Sequence, residues 1–134
     1  MEIIKRRKRE LRKRVELARG FLQSIYGYLS PMTAIIIGST ARGDFNQWSD
    51  IDLVIISDRF PENPIDRFRM VELRILPGIE PIPLRTADLM RLVEKKAPVL
   101  EDMVEGIFLV DDLGIRRVLL DRTKKRILDQ NSRQ

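Results

Sequence analysis

Two aspartates one residue apart, Asp50 and Asp52, stand at the mouth of a short apolar and mostly β-branched run, Ile51-Leu53-Val54-Ile55-Ile56. Such a run reads as a strand buried on both faces, and Asp52 interrupts it. A lone carboxylate there would be costly to desolvate, so it calls for a proton, a basic partner or a cation. Side chains alternate across a strand, which turns Asp50 and Asp52 to the same side, where they can grip the same ions. Hard oxygen ligands suit Mg²⁺, which completes its shell with water and with substrate phosphates. The pair therefore implies a nucleotide.

The segment before it offers a place for phosphates. Ala34-Ile35-Ile36-Ile37 is a second apolar run, and it leads into Gly38-Ser39. Gly38 permits a tight turn and a close backbone approach, Ser39 supplies a hydroxyl and an N–H where a helix can begin, and Arg42 adds charge one turn later. Strand, turn and helix start make an anion site. No Gly-Lys-Ser/Thr is present, so this is not a Walker A loop. Other readings are open for three residues nearby. Arg42 could pair with Asp44 on the surface. Trp48, the single tryptophan, could stack on a base, although a cap over the loop before the second strand suits it better. Ser39 is a poor covalent nucleophile in a chain with no histidine to activate it. Arg42-Gly43-Asp44 spells a cell-adhesion tripeptide, which is read as coincidence.

Gly38-Ser39-x-Ala41-Arg42-Gly43 followed by Ser49-Asp50-Ile51-Asp52-Leu53 resembles the signature of the minimal nucleotidyltransferases, small prokaryotic members of the DNA polymerase beta superfamily. The resemblance implies attack of a hydroxyl on the α-phosphate of a nucleoside triphosphate, ATP being the expected one, with loss of pyrophosphate. It implies Mg²⁺ held by Asp50 and Asp52, and β/γ-phosphates held at Gly38, Ser39 and Arg42. Small proteins of this family are often antitoxins in toxin–antitoxin systems that adenylylate a HEPN-domain partner, which makes a protein the first expected acceptor. The alternative is a catalytically weak module of the same fold that binds nucleotide, nucleic acid or protein.

The family also uses a third carboxylate on a later strand, to complete a metal site and take the proton of the attacking hydroxyl. Glu80, in Gly78-Ile79-Glu80-Pro81-Ile82-Pro83-Leu84, is the candidate; by period two it shares a face with Ile82 and Leu84. Pro81 and Pro83 confine that segment to an edge strand or an irregular ribbon. The family more often has Asp here. Glu72 is the fallback, but it lies in a stretch where Phe68, Val71 and Ile75 recur at helical spacing.

Composition narrows the rest. The 134 residues fit one domain, and the absence of Cys and His excludes disulfides, thiol chemistry and zinc sites built from those ligands. A reduced compartment, the cytoplasm, is expected. No apolar run approaches a membrane span, and the charged N-terminal segment lacks a signal-peptide core, so no membrane partner is expected. Net charge is +5, but residues 1 to 14 alone carry +6 and leave the remainder near neutral. Ile4, Leu11, Val15, Ala18, Leu22, Ile25 and Leu29 recur every three or four residues, predicting a basic amphipathic helix over residues 3–29. Its charged start is either a solvated face or an arm for nucleic acid, triphosphate or an acidic protein.

The expected fold is α/β: a small mixed sheet covered by helices on one side, the site on the other, with an extra N-terminal helix (residues 1–30) preceding a nucleotidyltransferase domain (31–134). Strands are predicted at 32–37, 50–56, around Glu80 and at 107–110. Helices are predicted from Thr40 or Ala41, over 65–76, from Thr86, over 99–105, and over 113–128.

Overall fold

In the computed structural model, which describes residues 1–122, the expected order of elements is present. Helix α1 (Glu2–Leu29) leads to strand β1 (Thr33–Ile37), the single-turn helix α2 (Ser39–Arg42) and strand β2 (Ile51–Ile56). Then follow α3 (Pro64–Val71), β3 (Ile79–Leu84), α4 (Thr86–Glu94), α5 (Val99–Val104) and β4 (Ile107–Asp111). A further helix runs through 115–122. The part of the last predicted helix beyond 122 lies outside the described residues.

The four strands form one mixed sheet in the order β3-β2-β1-β4, with β1 antiparallel to β2 and β4, and β2 parallel to β3. Its two central strands are apolar on both faces, so both faces must be covered. Ala34, Ile36, Leu53 and Ile55 pack with Phe21, Leu22, Ile25 and Leu29 of α1. Ile35, Ile37, Val54 and Ile56 pack with Leu89 of α4, Met103 of α5, and Ile115 and Leu119. The mixed sheet and the long first helix match expectation, and helical cover extends to the second face as well. Asp52 and Glu80, by alternation, belong to that second face.

β3 is an edge strand, and its prolines explain how. Ile51 N–H donates to Gly78 O at 2.7 Å and Ser57 N–H to Leu84 O at 2.9 Å, so the even residues of β3 carry the parallel ladder to β2. Pro81 and Pro83, which have no N–H, turn their backbone to the open edge.

Two local expectations differ. α3 stops at Val71 rather than near residue 76, and Phe68, expected inward, is exposed. The inward position is taken by Arg67, which is buried and donates to Pro61 O (2.8 Å), Glu62 O (2.7 Å) and the Asp88 carboxylate (2.6 Å). Val71 is the last fully buried side chain of α3; Leu73 beyond it stands in solvent, and Ile75 packs on the core from outside the helix.

Candidate active site

The candidate residues gather where the C-terminal end of β1 meets the N-terminal ends of β2 and β3. Asp52 stands opposite Ile37 of β1 on one side and opposite Glu80 of β3 on the other. The strand register thus sets the Asp pair beside Glu80, with Asp50 and Glu80 exposed and Asp52 half-buried. Glu72 is exposed just past the end of α3, away from this register. Among the described residues no three carboxylates are yet closed into a ligand cluster.

Gly38 makes the approach of the turn possible. Its φ of 75° and ψ of −148° lie where a side chain is strained. A Cβ built there would sit 2.8 Å from Asp52 Oδ2, so the missing side chain is the space the carboxylate occupies. The turn is closed by Arg42 N–H to Gly38 O (3.0 Å) and Gly43 N–H to Ser39 O (2.9 Å). Burial, reinforced by the negative charge of Asp50, pushes the Asp52 carboxyl above the usual carboxylate range, and nearby Arg42 partly offsets this. An all-oxygen donor set with one partly desolvated carboxylate beside a second negative charge is what a hard divalent cation would relieve, so these residues fit Mg²⁺.

Arg42 pairs with Asp44, Nε to Oδ2 at 3.3 Å, with both side chains more than half exposed. An exposed pair of this kind is worth little and exchanges readily for an anionic ligand. Trp48 does not cap the loop: it is 84% exposed. Phe45 does so instead, because its ring is buried under two guanidinium groups, Arg14 at 4.4 Å and Arg7 at 5.3 Å from the ring centre.

Those arginines are the residues the sequence did not single out. Arg14 donates to Ser49 O and Asn46 O at 2.8 Å each and to Thr40 Oγ1 at 3.2 Å. Arg7 donates to Phe45 O. One side chain from α1 therefore ties Thr40, next to the Gly38-Ser39 turn, to the residue before Asp50. A signal was available: Arg7, Arg14 and Phe21 are seven apart, two helical turns, so they share the face that buries Phe21.

Comparison with known proteins gives the family and the fold. Residues 6–127 match the nucleotidyltransferase domain family. No curated protein sequence matches the chain. A crystal structure from Sulfolobus solfataricus, described as a candidate nucleotidyltransferase, is similar with a TM-score of 0.55 and 26% identity, over 63% of this chain and 78% of that one. No helix among the described residues is long and apolar enough to cross a membrane. With the Gly-Ser turn, the Asp pair and the sheet order in place, and with most of its length matched, the chain belongs to the nucleotidyltransferase domain family.

Proposed function

We propose that the protein transfers a nucleoside monophosphate, AMP from ATP, to a hydroxyl acceptor in the cytoplasm, using Mg²⁺. The observation that carries this reading is the seating of Asp52 against the Cβ-free face of Gly38 and in register with Glu80. Asp50 and Asp52 would hold the cation, with Glu80 as the further oxygen ligand. When bound, the ion supplies charge neutralisation for the triphosphate and for the attacking oxygen. Gly38 gives the β/γ-phosphates close access to the backbone, Ser39 offers its hydroxyl, and Arg42 leaves Asp44 for the phosphates. Glu80, exposed at the edge of the site, accepts the proton of the acceptor hydroxyl. Arg14 keeps the turn and the Asp50 segment at a fixed separation.

A protein acceptor of the HEPN type, with the chain as antitoxin, fits the exposed apolar side chains on and just after α3. Ile65 and Leu73 are 69% and 92% exposed, with Phe68 beside them, an arrangement that suits a protein surface. The binding-module alternative draws on the open spacing of the three carboxylates. Incubation with α-labelled ATP, Mg²⁺ and candidate acceptors separates the two. Label in an acceptor, lost with EDTA and in Asp52→Ala, is the expected result; Mg²⁺-dependent binding without any transfer would favour the module.

A further inference from the structure

The first turns of α1 and the loop before β2 enclose an open groove of about 630 Å³, within the size range of small-ligand sites. Its walls are Arg6, Arg7 and Arg14 on one side and Phe45, Asn46 and Trp48 on the other. Phe45, Arg7 and Arg14 form a packed floor, because they already bind one another. Trp48 stands free above that floor, but its backbone is fixed: its N–H donates to Asn46 Oδ1 at 2.8 Å, and Asn46 O is held by Arg14. The ring is thus a solvent-exposed platform on an anchored loop. Arg6 makes no ion pair among the described residues, and the one acid of the groove, Glu10, is paired with Lys13 at 3.6 Å.

We propose that this groove binds a single-stranded polynucleotide, with a base stacked on Trp48 and phosphates along Arg6 and the +6 charge of residues 1–14. An exposed indole beside guanidinium groups suits a strand, whose bases have π-faces and whose backbone is anionic. A protein interface built around Trp48 would call for exposed apolar neighbours, and here the one apolar neighbour, Phe45, is buried under Arg7 and Arg14 while the others are charged or amide side chains. The groove lies two residues from Asp50, so a strand seated in it leads to the site, yet its binding does not depend on nucleotidyl transfer.

Trp48 is the only tryptophan in the chain, so its emission reports on the groove alone. Fluorescein-labelled twelve-nucleotide oligouridylate and oligothymidylate are titrated with the full chain by anisotropy at several salt concentrations, and Trp48 emission is followed with unlabelled strands. Expected are quenching that saturates with the anisotropy and a log-linear loss of affinity with salt. Trp48→Ala weakens binding about 5- to 150-fold, and Arg6→Gln lowers the salt slope by about 0.7. The better of the two strands identifies RNA or DNA. Asp50→Ala still binds the strand, so failure of the catalytic reading is seen separately. Unchanged affinity in Trp48→Ala, equal binding of a polyglutamate peptide, or quenching by free ATP but not by either strand would overturn the proposal.

Discussion

Asp52 is held in a conflict that the fold maintains: its strand partners are an apolar residue, Ile37, and another carboxylate, Glu80, the negative charge of Asp50 acts on it, and its oxygen fills the space of an absent Cβ. A carboxyl whose folded pKa is raised stabilises the fold only at low pH and loses that contribution as pH rises through the raised value. At neutral pH without metal, Asp52→Asn should therefore raise the melting temperature, and added Mg²⁺ with ATP should stabilise the wild type only. A thermal melt with and without Mg²⁺-ATP checks both; a lower melting temperature for the metal-free variant would remove the conflict argued here. Glu80 gives the second test. Glu80→Gln should cost turnover about 10²–10⁴-fold with little loss of ATP binding, and Glu72→Gln should leave both near wild type. Steady-state rates beside calorimetric affinities tell the roles apart, and the reverse ranking would move the third carboxylate to Glu72. The strand positions of Asp52 and Glu80 were legible because period two and apolar runs follow from strand geometry, whereas the search for a third carboxylate came from the family resemblance. Arg7 and Arg14 were not, because within a run of eight cations nothing local tells a buried guanidinium from a solvated one.

The connection from α3 to α4 depends on one buried ion pair. Arg67 reaches Asp88, whose other contacts are the N–H of Arg85 (2.8 Å) and the guanidinium of Arg91. Burial by itself would raise the Asp88 carboxyl, but the Arg85 N–H, Arg91 and Arg67 outweigh it and hold the pKa below the usual range. The sign is opposite to that of Asp52. Stability from Asp88 is present above the ordinary carboxylate range and is lost as pH falls through its depressed pKa, so Asp88→Asn should flatten the acid limb of stability against pH. Arg67→Ala, which leaves the carboxylate short of its buried partner, should cost about 3 kcal/mol, read from urea midpoints at neutral pH; a loss no greater than that of an exposed pair would mean that water replaces the guanidinium. This pair also explains the misread face of α3. Helical periodicity counts apolar side chains, and here the inward stripe holds an arginine whose donors are met by Pro61 and Glu62 in the preceding loop and by Asp88, 21 residues away. The loop before β2 misled in the same way: Phe45 and Trp48 are both aromatic, and only the position of the α1 arginines decides which ring is covered.

α1 serves the whole molecule twice, and its two halves can be separated by experiment. Its buried side chains begin at Ala18 and continue through Phe21, Leu22, Ile25 and Leu29 against the sheet. Its first half contributes little to that core, with Ile3 and Ile4 mostly exposed, but it carries Arg7 and Arg14 to the Gly43–Ser49 loop. Read from charge alone, residues 1–14 are an arm whose removal affects only the binding of anionic partners; in the folded molecule they also position the site. A chain lacking residues 1–14 should stay cooperatively folded, because the burial of α1 lies beyond the cut, while hydrogen exchange of the amides from Asp44 to Asp50 should speed up. Turnover should fall in the truncated chain and in the double variant Arg7→Ala with Arg14→Ala. Adding salt should reproduce the truncation's loss of strand affinity but not its loss of turnover, since the hydrogen bonds of Arg14 to Asn46, Ser49 and Thr40 are local and partly buried. Equal turnover and unchanged exchange in the truncated chain would reduce α1 to a core helix with a solvated start.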